Sequence, residues 1–252
     1  MSSGPRFYCP QPLAPGITLE LPDGAARHAQ VLRLQPGAAI TLFGASSAAQ
    51  IGGEYAAMVT GMGRQSVQVL VGAHAPLERE TRHRLHLVIG IPANERMDWL
   101  VEKATELGVA SIQPLMTERT VVRLDAQRGQ KKVAHWQSIA VAACEQCGRN
   151  RVPVVHEPMA LARWFQQRRA EAPPQDAASL VLSLQPGSRD LRDWNAASDT
   201  LTLAVTFLCG PEGGLGAAEE ALALSGGFQP VSLGVRVLRS ETAALAALTL
   251  LA

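Results

Sequence analysis

Two glycine- and arginine-bearing transitions hold most of the residues able to do chemistry. The first is Gly210-Pro-Glu-Gly-Gly-Leu-Gly216, between an apolar run, Leu201–Leu208, and a helix expected from about Ala217. Glycines let a backbone approach a ligand closely and adopt positive φ, and ligands of open α/β sheets bind outside the carboxyl ends of the strands. The glycine spacing is not the G-x-G-x-x-G of a dinucleotide site, and no Gly-Lys-Ser/Thr follows as in a P-loop. A nucleotide-dependent dehydrogenase is therefore disfavoured, while a plain strand-to-helix turn fits the spacing as well as a binding loop does. The second transition is Leu233-Gly-Val-Arg-Val-Leu-Arg-Ser-Glu-Thr-Ala243. Ser240 is expected to cap the following helix, with Glu241 and Thr242 in its first turn. A helix start of this kind favours an anionic group, although Arg236 and Arg239 could equally be solvated or paired with carboxylates.

Cys144-Glu-Gln-Cys-Gly-Arg-Asn-Arg151 contains a C-x-x-C pair. Zinc would need two more ligands, and His135 and His156 match no usual ligand spacing. A redox pair belongs at a helix start, where a thiolate is stabilised, whereas this pair ends a helix. No metal is expected. Around it lies a charge excess: residues 119–151 hold seven cations (Arg119, Arg123, Arg128, Lys131, Lys132, Arg149, Arg151) against Asp125 and Glu145, a local +5. Such a stretch can neutralise several phosphates; its plain alternative is a solvated face.

The elements that must position these residues fall into two regions. Residues 1–74 suggest a small β-barrel, with strands at Ala39–Phe43, Glu54–Gly61 and Ser66–Val71, turns at 44–53 and 61–65, and one helix, Asp23–Leu34, capped by Asp23. A linker is expected at 75–83. From residue 84 to 252, strands alternate with helices, which implies a mostly parallel sheet covered on both faces. The expected strands are Arg84–Ile91, Val109–Leu115 (near an edge, because of Pro114), Leu180–Leu184, Leu201–Leu208 and Gln229–Leu233. The expected helices are Asn94–Leu107, with Met97, Leu100, Val101, Ala104 and Leu107 on one face and Gly108 as stop; Lys131–Cys147, with Trp136, Ile139, Ala140 and Ala143 inward; and Ser240–Ala252.

Composition bounds the class. At 47% hydrophobic and a net charge of +1, the chain is not disordered. Four cysteines are too few for a disulfide scaffold. The first residues show no apolar h-region, and the longest nearly apolar run, Ala243–Ala252, is shorter than the ~20 residues of a membrane span. A cytoplasmic protein with no membrane partner is expected. The overall balance would argue against a nucleic-acid partner, but with +5 at 119–151 the remainder carries −4. Arginine makes up 20 of the 23 basic residues, and guanidinium groups bind phosphates bidentately and stack on bases.

Several stretches, in order, resemble one family: Glu102-Lys-Ala-Thr-Glu-Leu-Gly-Val109, Thr117-Glu-Arg-Thr-Val121, Trp136-Gln-Ser-Ile-Ala140, Glu145-Gln-Cys-Gly-Arg149 with Val152-Pro153, Gly210-Pro-Glu-Gly-Gly214 and Leu233–Ala243. His28–Arg33 followed by Gln-Pro-Gly is similar too. The set is similar to the ribosomal RNA small subunit uracil-N3 methyltransferases of the SPOUT class. The resemblance implies an α/β fold with a C-terminal SPOUT trefoil-knot domain and an N-terminal PUA-like β-barrel that binds RNA. It also implies a homodimer, S-adenosyl-L-methionine as cofactor, and 16S rRNA or the small ribosomal subunit as partner. For the cofactor it implies three loops: Leu184 and Pro186; Leu208, Cys209, Gly210, Glu212, Gly213 and Gly214; and Leu233, Gly234, Val237 and Leu238. Where family members often carry a serine, Gly216 removes a helix cap.

Uracil N3 carries a proton at neutral pH, so the site must hold a base or stabilise the anion. Arg239 and Arg149 are candidates for holding the anion or a phosphate. Glu241 is a candidate for orienting an arginine or taking the proton, with Glu212 as rival base. N3 lies on the Watson–Crick edge, so the target must be unpaired. Arg6, Arg27 and Arg33 extend the expected RNA footprint of Arg119, Arg123, Lys131, Lys132, Arg149 and Arg151. Alternatives are a SPOUT enzyme acting on another base or a ribose 2′-hydroxyl, and a non-catalytic RNA-binding assembly factor.

Overall fold

A computed structural model describes residues 4–44, 52–93, 95–171, 176–197 and 204–252. Most of the turn expected at 44–53 lies outside the described residues, as do Asn94 and residues 201–203 at the ends of two expected elements. The chain divides into two compact units, Met1–Glu80 with Val141–Val152, and Thr81–Ala140 with Pro153–Ala252.

In the first unit, strands β1 (Arg6–Tyr8), β2 (Thr18–Glu20), β3 (Ala39–Phe43), β4 (Glu54–Met62) and β5 (Val67–Ala75) form one sheet in the order β1-β3-β4-β5-β2. Alternation sorts the faces: Tyr55, Ala57 and Val59 of β4 and Val67, Val69 and Val71 of β5 point into a core with Phe7 and Leu42, while Met58 and Leu70 stay outside. Helix α1 (Asp23–Val31) closes this core with Ala25, Ala26 and Ala29. Asp23 does not cap it. Pro22, at φ −53° and ψ 148°, is the N-cap, and Asp23 is the first helical residue, where its charge complements the dipole. The helix stops three residues before Leu34. Arg33 adopts φ +53°, its N–H reaches the Gln30 carbonyl (2.9 Å) and the Leu34 N–H reaches the Ala29 carbonyl (3.1 Å). That is a Schellman stop with arginine where glycine is usual.

The second unit contains β6 (Arg84–Gly90), α2 (Arg96–Glu106), β7 (Val109–Met116), α3 (Ala126–Cys147), β8 (Val154–Val155), β9 (Met159–Ala160), α4 (Leu161–Glu171), β10 (Ala177–Leu182), β11 (Arg189–Asp190), α5 (Leu191–Ala197), β12 (Ala204–Cys209), α6 (Ala217–Ser225), β13 (Gln229–Ser232) and α7 (Ser240–Leu251). Of α3, only residues up to Ala140 belong to this unit. The strands run parallel in the order β11-β13-β10-β12-β6-β7-β8, with β9 also on β7. Pro114 of β7 falls in the gap between β8, which pairs Ser111 and Ile112, and β9, which pairs Leu115 and Met116, so its missing N–H costs no ladder bond.

Both sheet faces are covered. Phe165 of α4, Ala223 of α6 and Phe228 pack on Val88, Val181 and Leu208. On α2 the expected face is buried through Met97, Leu100, Val101 and Ala104, and α7 buries Ala244, Ala247, Leu248 and Leu251. Leu107 and Ile139 are half-buried. The strand expected at Leu180–Leu184 ends at Leu182 as β10, so Leu184 lies two residues beyond it, in a loop, and is 65% exposed.

Candidate active site

Three segments converge at the carboxyl ends of β10, β12 and β13: residues 183–188, 210–216 and 233–239. They enclose a cavity of about 340 Å³. Leu184, Leu233, Val237 and Leu238 supply apolar wall, Cys209 and Gly210 the floor, and Glu212, Gly213 and Gly214 one side. Burial pushes the Cys209 thiol up, so it stays a neutral, small apolar group.

The 210–216 loop is fixed from several directions. Gly90 ends β6 against Pro211; a Cβ there would lie 2.5 Å from the proline Cδ. A Cβ on Gly210 would lie 2.5 Å from the carbonyl carbon of Gly214 and 2.6 Å from the Leu215 nitrogen, so only glycine fits. Gly214 has φ +70° and donates to the Pro211 carbonyl at 2.8 Å. The Arg119 guanidinium donates to the Gly213 carbonyl at 2.7 Å. The Glu212 carboxylate accepts from the Ala93 N–H (2.8 Å) and from Arg96 (3.0 Å). The cap missing at Gly216 is replaced from within the helix: Glu219 accepts the Gly216 N–H at 2.9 Å and the Glu118 N–H at 2.8 Å.

The 233–239 segment is held differently. Among the described residues, positions 233–238 make no hydrogen bond; Val235 is 98% and Val237 80% exposed. Arg236 and Arg239 are exposed. Arg239, not Ser240, is the N-cap of α7, with extended backbone and no side-chain cap. The Ser240 hydroxyl turns instead to the Glu241 carboxylate, 3.3 Å away. Glu241 is buried, and Arg96 approaches its other oxygen at 3.9 Å.

Of the residues expected to hold a cofactor, Leu184, Cys209, Gly210, Glu212, Gly213, Gly214, Leu233, Val237 and Leu238 line the cavity. Pro186 and Gly234 belong to its loops without lining it, and Leu208 lies beneath, fully buried in the core. Arg119, expected on an RNA face, stands in the cavity wall. Sequence reasoning missed Ser183 and Glu220, which also line it: the Ser183 hydroxyl donates to Glu220 and accepts the Gln185 N–H at 3.0 Å. Neither sits in a glycine- or arginine-rich stretch, so no local signal marks them.

Other expected RNA residues sort by whether the first unit already engages them. Arg6 donates to Glu54 (2.5 Å), to the Asn150 side chain (2.6 Å) and to the Gly148 carbonyl (3.2 Å). Glu54 is also bound by Arg79; burial would raise its carboxyl, but hydrogen bonds from the two arginines outweigh that and hold it below the usual range. Arg149 is 3% exposed and grips Glu80 through Nε (3.2 Å) and Nη2 (2.5 Å). Arg149 is thus built into the first unit and is absent from the cavity wall. Arg151 pairs loosely with Glu78 (3.4 Å). Arg27, Arg33, Arg123, Lys131 and Lys132 are exposed. In the C-x-x-C pair, a hydrogen bond with Cys147, then burial, pushes the Cys144 thiol up. Among the described residues no cluster could hold a metal ion, and no helix is long and apolar enough to cross a membrane.

A parallel α/β sheet with a glycine-bordered cavity at its carboxyl edge defines the class as far as geometry can, and comparison sharpens it. The family model described as an RNA methyltransferase domain matches residues 79–252. The chain is 32% identical over 191 residues to ribosomal RNA small subunit methyltransferase E of Bacillus subtilis, covering 74% of this chain and 72% of that protein. It is 32% identical over 219 residues to the protein of the same name from Synechocystis, covering 87% and 67%. Among solved structures, ribosomal RNA small subunit methyltransferase E from Neisseria gonorrhoeae bound to S-adenosyl methionine superposes with TM-score 0.85, at 36% identity over 98% of this chain and 96% of that one. A putative methyltransferase from Legionella pneumophila in complex with the same cofactor gives TM-score 0.86, again at 36% identity over 98% and 96%. The chain belongs to the ribosomal RNA small subunit methyltransferase E family.

Proposed function

We propose that this protein is an S-adenosylmethionine-dependent methyltransferase acting on N3 of a uridine in 16S rRNA of the small ribosomal subunit, working as a homodimer in the cytoplasm. The observation that carries the reading is the three-loop cavity, in a chain 36% identical over nearly its whole length to a relative bound to S-adenosyl methionine.

The residues fit that cofactor. Apolar Leu184, Leu233, Val237 and Leu238 suit an adenine face, glycine backbone allows close approach, and carboxylates at Glu212 and Glu220 suit a cationic ligand. When bound, it supplies an electrophilic methyl group on a sulfonium. The N3–H proton of uridine must pass to solvent water before the nitrogen lone pair can form the new N–C bond as the S–C bond breaks. Arg239, exposed and paired with no side chain among the described residues, is the group best suited to hold the uracil anion. Glu212 and Glu241 both face Arg96, which favours a positioning role for them over that of base.

Arg27, Arg33, Arg123, Lys131 and Lys132 are the cations left for RNA phosphates, with Arg151 only loosely paired. The strained φ of Arg33, kept where glycine would be at ease, supports a task for its side chain. Val235 and Val237 are exposed apolar groups of the third loop suited to subunit contact.

The test is mass spectrometry of nucleosides from small-subunit rRNA of a deletion strain. N3-methyluridine absent without the gene and restored with it is the expected result; an unchanged modification overturns the reading.

A further inference from the structure

Arg96 is the first residue of α2, outside every glycine-rich or basic stretch that drew attention in the sequence. Its guanidinium reaches two carboxylates from distant parts of the chain. Nη1 donates to Glu212 at 3.0 Å, and Nε stands 3.9 Å from Glu241. Glu212 lies in the wall of the cofactor cavity; Glu241 opens the helix that follows its third loop. The second Glu212 contact, from the Ala93 N–H, comes from the turn just before α2. Arg96 also lines a separate cavity of about 660 Å³, with Met97, Asp98, Lys132 and Trp136. It therefore forms part of the partition behind the cofactor loop.

Two carboxylates this close to one cavity repel each other unless a cation stands between them. Glu241 is buried, so leaving it without its cation is costly. We infer that Arg96 is a positioning residue: it clamps Glu212 and Glu241 to the start of α2 and so sets the spacing between the 210–216 loop and the beginning of α7, between which the cofactor is held. The inference rests on the functional reading above for the identity of the ligand, but not for the mechanical coupling.

Three proteins test it: Arg96→Ala, Arg96→Lys and Glu212→Gln. Hydrogen exchange on the cofactor-free protein reads the coupling directly. In Arg96→Ala the amides of 210–215 should exchange at least about tenfold faster, with those of 233–238 unchanged. Calorimetry with S-adenosylmethionine should give a Kd raised about tenfold, the scale of losing one hydrogen bond between charged groups. In methyl transfer, KM for the cofactor should rise in step while kcat falls less than about threefold. Arg96→Lys should recover part of the affinity, and Glu212→Gln should move exchange and Kd the same way by a smaller factor. If Arg96→Ala fails to fold, Arg96→Lys and Glu212→Gln still decide the matter. Exchange and Kd within twofold of wild type would overturn the inference, as would a fall in kcat at unchanged Kd. Wild-type protein that binds no S-adenosylmethionine would instead overturn the functional reading, while the exchange comparison would still judge Arg96.

Discussion

The 210–216 loop and the 233–239 loop border the same cavity and are built on opposite plans. The first is tied down by two glycines that nothing larger can replace, by Arg119 on the Gly213 carbonyl, by Arg96 and Ala93 on Glu212, and by Glu219 on Gly216. The second, among the described residues, offers exposed valines and arginines with no hydrogen bond from 233 to 238. Pre-organisation suits a group that must hold a cofactor in one geometry. Unspent side chains suit a segment whose partners arrive later, as RNA or as a second subunit. On the proposed reading, the held loop serves binding, and the free loop serves chemistry and assembly. That division is open to direct attack.

The largest effect should come from the free loop. Arg239→Ala removes an exposed guanidinium that no carboxylate among the described residues pairs with, so stability should hardly move, with Tm within about 1 °C. If Arg239 holds the uracil anion, kcat should fall about 100- to 1,000-fold, the range for losing one donor to a developing negative charge. The Kd for S-adenosylmethionine should stay within about twofold of wild type, since no cofactor contact is lost. Near-normal turnover would remove Arg239 from the chemistry and leave the free loop with assembly alone.

Gly210→Ala attacks the held loop. Its Cβ would sit 2.5 Å from backbone of the same loop, which no rotamer can relieve. Overpacking of this kind costs about 1–3 kcal/mol, so cofactor affinity should drop about 30-fold by calorimetry. Circular dichroism should report an intact fold. An affinity within threefold of wild type would mean that the pinned conformation is not the one the cofactor needs.

Val235→Asp separates assembly from chemistry in the free loop. Val235 is almost wholly exposed within the chain, so a carboxylate there costs the isolated subunit nothing. Buried at a subunit contact it would be penalised, and sedimentation should show the dimer dissociation constant raised about tenfold or more. An unchanged sedimentation profile would move the contact elsewhere.

Much of this contrast was legible in the sequence, and its limits are physical. The glycines of 210–216 announced a close backbone approach because only that residue type tolerates it. The parallel sheet was legible because strands buried on both faces read as continuous apolar runs, as in β6 and β12. Strands β1 and β2 escaped because three residues hold no period. Arg96 escaped because its partner Glu212 is 116 residues away, and spacing rules reach only a few residues. The burial of Arg149 escaped for the converse reason: a charge count registers a cation but not the Glu80 that pairs with it. In the same way Glu145, counted only as an acid set against the cations, accepts the Tyr8 N–H at 3.1 Å and faces His28 at 3.0 Å, a fastening inside the first unit.

The smallest effect carries the contrast into that unit, where Arg149 is held and Arg33 is free. Arg33 ends α1 at φ +53°, a conformation that costs a residue with a Cβ about 1–2 kcal/mol relative to glycine. Arg33→Gly keeps both Schellman hydrogen bonds, which are made by backbone, and removes that strain. Some of the gain is lost to the greater freedom of glycine in the unfolded chain. The net expectation is a stabilisation of about 0.5–1 kcal/mol by chemical denaturation. RNA affinity should move the other way. Losing one phosphate-binding cation should weaken binding and reduce the slope of log affinity against log salt by about 1, without altering cofactor binding. A variant more stable and equally tight on RNA would show that the backbone strain at Arg33 serves nothing in recognition, and would confine the functional use of unheld arginines to the loop at Arg239.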